Sequence, residues 1–149
     1  MAKGMAAVPL VLALAGAAWA YPPLTVTPIL TGECRTYDVH GLKILSSVVA
    51  EKADPHGDRW AFHFRVANNS DFPLRVITAD VDLYVGGKYM GETMARDERA
   101  DGSPQDYNHI YARGETLYMY GLVMGLADGQ TPDLRVRDVF SVAREGKCE

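Results

Sequence analysis

The chain has 149 residues, 15 Lys and Arg against 19 Asp and Glu, and 48% apolar residues, which is enough for one globular core and leaves no room for a second full-sized domain. A formal charge of −4 supplies no general cationic field for phosphate backbones, so nucleic-acid binding is disfavoured as a class. Eight tyrosines and a low net charge exclude a disordered chain.

Residues 1–20 read as a signal peptide. Lys3 is the positive n-region, residues 5–18 are apolar with only Gly and Pro interruptions, and Ala18-Trp19-Ala20 is an A-x-A cleavage site. The apolar run is shorter than the ~20 residues a spanning helix needs and stops at Pro22-Pro23, so no stable membrane span is expected once the leader is removed. Cleavage after Ala20 takes Lys3 away and leaves a formal charge of −5. Residues 21–33, with three prolines among Leu24, Val26 and Leu30, read as an extended arm ahead of a single domain at 34–149.

Export makes the two cysteines, Cys34 and Cys148, candidates for one disulfide spanning nearly the whole domain. In the chain-entropy account such a loop is worth about 4 to 5 kcal/mol. Two cysteines fall short of a structural zinc site.

Residues 37–49 read as extended, with a break at Gly41. The alternative for residues 42–52 is a short helix, because Leu42, Leu45 and Val49 share one helical face. After a polar connection at 53–58, Trp60, Phe62, Phe64 and Val66 alternate with Ala61, His63, Arg65 and Ala67, the period-2 signature of a half-buried strand. Residues 74–85 predict another strand, with Val81, Leu83 and Val85 on one face and Asp80, Asp82 and Tyr84 on the other. Gly86-Gly87 turns it into a hairpin with residues 88–94. A long connection at 96–113 exceeds ordinary hairpin length, so it is either functional or mobile. Residues 115–124 and 134–142 complete six or seven strands. Short strands with no alternating helices predict an all-β, antiparallel immunoglobulin- or fibronectin-like sandwich.

The stretch from Val66 through Asn68-Asn69-Ser70 and Phe72-Pro73-Leu74, followed by Asp82-Leu83-Tyr84 and Gly87-Lys88-Tyr89-Met90-Gly91, resembles two related patterns. One is the water-stress and hypersensitive-response domain of group 2 late-embryogenesis-abundant proteins; the other is the extracytoplasmic FxLYD domain. The turn Ala112-Arg113-Gly114-Glu115-Thr116 is similar to theirs. The resemblance implies a small immunoglobulin-like sandwich with a stress-protective or accessory binding role. Asn68 itself fits a strand end, where its side chain bonds nearby backbone, and Asn68-Asn69-Ser70 is also a glycosylation sequon.

Chemical constellations are sparse. Asp54, His56 and Asp58, and separately Asp97, Glu98, Asp101 and Asp106, offer oxygen and imidazole groups without the spacing of a recognised metal loop. The serines lack a nucleophile-elbow context, and neither an enzyme nor a cofactor is expected. Tyr107, Tyr111, Tyr118 and Tyr120 cluster about the long connection as a candidate aromatic binding surface, with outer-face strand residues as the plainer reading. The expectation is an exported, non-catalytic binding or stress-protective domain at the cell envelope, with a protein or envelope component as partner. The alternative is an envelope or filament subunit that assembles by strand addition of residues 21–33, so homo-oligomerisation stays open.

Overall fold

The computed structural model describes residues 23–148; the signal-peptide reading of residues 1–20 and the first two residues of the arm lie outside them. The described residues form nine strands and no helix: β1 (Thr25–Thr31), β2 (Cys34–His40), β3 (Lys43–Ile44), β4 (Val49–Lys52), β5 (Trp60–Ala67), β6 (Arg75–Val85), β7 (Lys88–Glu98), β8 (Thr116–Val123) and β9 (Asp133–Gly146). All pair antiparallel in the order β1-β2-β9-β6-β7-β8-β5-β3, with β4 also on β5. The sheet curls into a half-barrel, because its apolar face has only itself to pack against.

Alternation in β5 sends Phe62, Phe64 and Val66 inward, where each is essentially fully buried, while His63 and Arg65 face water. Its partner β8 supplies Leu117 and Met119 in unbroken register, Val66 opposite Leu117 and Phe64 opposite Met119. From β6 and β9 come Ile77, Ala79, Val81, Val139 and Ala143. Small residues stand side by side across the middle of the sheet: Ala79 pairs Ala95, Ala95 pairs Gly121 and Gly121 pairs Phe62. A Cβ at Gly121 would run into the Phe62 ring and approach the Met94 carbonyl oxygen to 2.8 Å, so the position requires glycine.

The strand that joins the two halves is β7. Its first part pairs β6 as far as Arg96, and its last residues, from Ala95 to Glu98, pair β8. Beyond Thr78, therefore, β6 and β7 part company, and the long connection drops into the gap. Cys34 and Cys148 are disulfide-bonded with Cα atoms 4.9 Å apart, tying the start of β2 to the chain just past β9.

Several expectations change. Among the described residues there are nine strands where six or seven were counted, because the arm contributes β1 and residues 42–52 hold two short strands, β3 and β4, instead of a helix. Leu42 is buried while Leu45 and Val49 are exposed, so the three never share an interior, and Leu45 N donates to the Arg65 carbonyl at the sheet edge. The described part of the arm carries a strand: from Thr25 to Thr31 it is hydrogen-bonded to β2 as the sheet's edge strand, so β1 and β2 form a hairpin across residue 34.

Candidate functional site

The most informative irregularity lies at the start of β6. Ile77, Ala79 and Val81 point into the core, and by strict alternation Arg75 would follow them. It does not, because Arg75 pairs Val142 and Thr78 pairs Phe140, leaving Val76 and Ile77 opposite Ser141 alone. This β-bulge turns Arg75 onto the outer face beside Val142. Its cost is visible at Val76, whose φ of +49° is a left-handed conformation that a β-branched residue rarely adopts. Ser141, almost fully buried, holds the bulge by donating its hydroxyl to the Arg75 carbonyl at 2.7 Å, with the Val76 carbonyl 3.3 Å away.

Strain maintained by dedicated hydrogen bonding is a marker of function, and here it borders two clefts. One is a groove of about 610 Å³ over the outer face of β6 and β9. Val76, Ile110, Phe140 and Val142 give it an apolar lining, and Arg75 and Arg144 give it charge; among the described residues no carboxylate lines it. Arg144 lies two residues beyond Val142 on the same face of β9, so both cations stand along one wall. The second cleft, about 410 Å³, is lined by Asp97, Glu98 and Asp106 with Arg96, Gln105 and Tyr120. Val76 and Tyr107 belong to both. Tyr107, 70% exposed, is the ridge between a cationic groove and an acidic one.

The connection carrying Tyr107 and Ile110 is anchored at Tyr111. Tyr111 exchanges two backbone hydrogen bonds with Leu74 at 2.8 and 3.0 Å, and its buried ring donates its hydroxyl to Asp97 Oδ2 at 2.9 Å. Burial pushes that phenol well above its ordinary range, keeping it a neutral donor. His109 packs edge-on against the Tyr111 ring at 4.5 Å and reaches Glu115 at 3.1 Å. Behind them Asn68, fully buried, joins both loops. Its Nδ2 donates to the carbonyls of Phe72 (2.7 Å) and Tyr111 (3.0 Å), and its Oδ1 accepts from the Ser70 amide (3.0 Å) and hydroxyl (2.6 Å). Its main chain bonds Gly114 and Glu115.

Of the four tyrosines read as a binding surface, Tyr107 and Tyr120 share the second cleft and Tyr118 is exposed on the same face of β8 but lines neither groove. Tyr111 is not a surface residue: it is a core residue at 2% exposure, because the long connection dips inward to pair Leu74. Asn68 plays the strand-end role. Its Nδ2, the atom a glycan would be joined to, is enclosed in the fold with both hydrogens engaged. Asp54, Asp101 and Asp106 each accept a turn amide two residues on, from His56, Ser103 and Asn108, and Asp58 accepts from Gly125 N. Sequence reasoning missed Arg75, Val76, Ser141 and Arg144. The signal was present: extrapolating the inward phase of Ile77, Ala79 and Val81 back to Arg75 puts an arginine in the core, a contradiction that a bulge resolves.

A second bulge makes Arg137 the extra residue between Val136 and Asp138, opposite Asp80 and Val81. Its guanidinium bonds Glu92 and lies 3.3 Å from Asp82 Oδ1 and 3.6 Å from Asp80 Oδ2. Hydrogen bonding to Arg137, reinforced by its charge, holds the Glu92 carboxyl below the ordinary range. In this cluster one arginine lies among three carboxylates, and Asp82 Oδ1 is buried with the guanidinium near it but no hydrogen bond, whereas Arg75 and Arg144 line an open groove. Comparison of the chain with known families, with curated proteins and with solved structures returns no match.

Proposed function

We propose that this chain is an exported, non-catalytic domain that works by binding another molecule at the cell envelope, through the surface divided by Tyr107. The observation that carries the reading is the bulge at Val76: a strained backbone, stapled by a buried serine, that delivers Arg75 to an apolar groove. A long disulfide loop supports life in an oxidising compartment. The immunoglobulin-like sandwich is proposed with it. What supports it is that β7 pairs β6 and then β8, which divides the one curled sheet into β1-β2-β9-β6 and β8-β5-β3 around a single core. The Asn68 junction supports kinship with the water-stress or FxLYD kind of domain, and with it an accessory or stress-protective role.

The test is photo-crosslinking in intact cells from a photoreactive residue placed at Tyr107, with Leu45, exposed on β3's edge of the sheet, as control. A covalent adduct specific to Tyr107, formed by protein outside the cytoplasm, is expected. Identical patterns from both positions, or protein retained inside with residues 1–20 attached, would defeat the reading.

A second reading, an envelope or filament subunit, has its own observation. β1 lies at the open edge of the sheet, carries no charged residue and exposes Val26 and Ile29. Size-exclusion chromatography of the mature protein with and without residues 21–33 separates the two, since only strand addition predicts that the deletion abolishes assembly.

A further inference from the structure

The two arginines in the groove are a local exception in an acidic chain, and the exception says what the groove is for. Among the described residues the close arginine–carboxylate pairs engage Arg113, Arg135 and Arg137, while Arg75 and Arg144 stand over a lining whose described residues include no acid. Both lie on one wall, where Arg75 is placed by a bulge that costs the backbone a left-handed valine, and Arg144 by the plain alternation of β9 beyond Val142. The opposite wall is the connection with Tyr107 and Ile110, and the floor is Phe140 and Val142. Such a surface rewards a ligand with carboxylates at one side and an apolar group beneath.

We infer that the groove holds an extended acidic peptide segment of a partner protein, with its Asp or Glu side chains over Arg75 and Arg144 and an apolar or aromatic side chain between Tyr107 and Val142. The inference rests on the binding reading above and adds the class of partner. Two features favour a peptide over an anionic lipid or fatty acid. The groove is an open trough on a sheet face, so an acyl chain would leave one side in water. Its lining also interleaves hydroxyls and backbone with aliphatic groups, and the exposed aromatic ridge at Tyr107 is the kind of anchor protein interfaces use. The adjoining acidic cleft, with Asp97, Glu98 and Asp106, repels carboxylates and so fixes which way the segment runs.

The experiment selects binders to the folded, disulfide-bonded mature protein from a random 12-residue peptide library. The expected pool is enriched in Asp and Glu beside aromatic or aliphatic residues. Its peptides should bind Arg75→Glu/Arg144→Glu at least tenfold more weakly, Tyr107→Ala about tenfold more weakly, and Arg75→Lys/Arg144→Lys within a few-fold of wild type. Thermal unfolding of each variant is compared with wild type, and the lysine pair keeps the test decisive if charge reversal disturbs the fold. The inference is overturned by a selection that returns nothing above background, by acidic peptides indifferent to the two arginines, or by dodecanoate binding in an arginine-dependent way where peptides do not. Any of these alongside a Tyr107-specific adduct in cells would reject the acidic peptide and leave the binding reading standing.

Discussion

The ladder between β5 and β8 and the ladders on β6 obey different rules. Eight residue pairs join β5 to β8 without a single slip, whereas β6 shifts register twice against β9 and once against β7. The regular half holds Phe62, Phe64, Val66, Leu117 and Met119 in the interior and turns His63, Arg65, Tyr118 and Leu122 outward by alternation alone. The irregular half aims charges: one bulge delivers Arg75 to the groove, and another sets Arg137 among three carboxylates. The same antiparallel sheet thus divides its labour, with stability where alternation is unbroken and chemistry where an extra residue breaks it.

The largest effect expected from breaking this contrast is in the regular half. Gly121→Ala puts a methyl against the Phe62 ring and the Met94 carbonyl. It should cost about 3 kcal/mol, at the upper end for overpacking, because one of the obstacles is backbone. Chemical denaturation reads it directly; a loss under about 1 kcal/mol would mean the sheet can open there and is not bent by necessity.

How much of this was legible follows the same division. The alternation from Trp60 to Val66 is visible because each side chain votes for the same face, and the structure keeps every one of those votes. The hairpin at Gly86-Gly87 is equally local; both glycines have positive φ. What local patterns miss is set by distant partners. Leu42, Leu45 and Val49 mimic a helical face because three residues cannot separate a period of 3.6 from a kinked edge strand, and the ladder to β5 settles it. Tyr111 looks like a loop tyrosine until Leu74 and Asn68 draw it inward across some 40 residues of sequence. The groove is the least legible part. Its walls come from β6, β9 and the long connection, and its cation is positioned by a bulge whose staple, Ser141, lies 66 residues from the carbonyl it serves.

In the irregular half the expected losses are smaller and differ in kind. Ser141→Ala leaves the Arg75 and Val76 carbonyls without their hydroxyl and should cost about 1–2 kcal/mol. Val76→Gly should be close to neutral, because relief of about 1–2 kcal/mol of left-handed strain offsets glycine's extra chain entropy and the loss of a partly exposed side chain. The same change at Val66, buried and extended, should cost several times more. Denaturant midpoints of the three variants form one measurement, and equal losses at Val76 and Val66 would show that the bulge stores no strain.

The smallest effect is electrostatic and lies along β7 itself, where Glu92 and Glu98 face opposite pulls. Arg137 holds Glu92 below the ordinary 4.5, first through its hydrogen bond and then through its charge. Glu98 is raised above 4.5, first by burial and then by Asp101, with His63 pulling the other way. The signs of their linkage to folding are therefore opposed. Glu92 contributes stability that is complete above 4.5 and fades as pH falls through its depressed folded value. The contribution of Glu98 is complete below 4.5 and fades as pH rises through its raised folded value. Carboxyl chemical shifts followed by NMR between about pH 2 and 7 should show the two glutamates titrating on opposite sides of the unperturbed carboxylate. Glu92→Gln should flatten the acid limb of the stability profile and Glu98→Gln the limb just above 4.5. If Glu92 titrates at or above 4.5, the bulged Arg137 is not the organiser of its face, and the distinction between an arginine held among carboxylates and an open cationic groove loses its electrostatic basis.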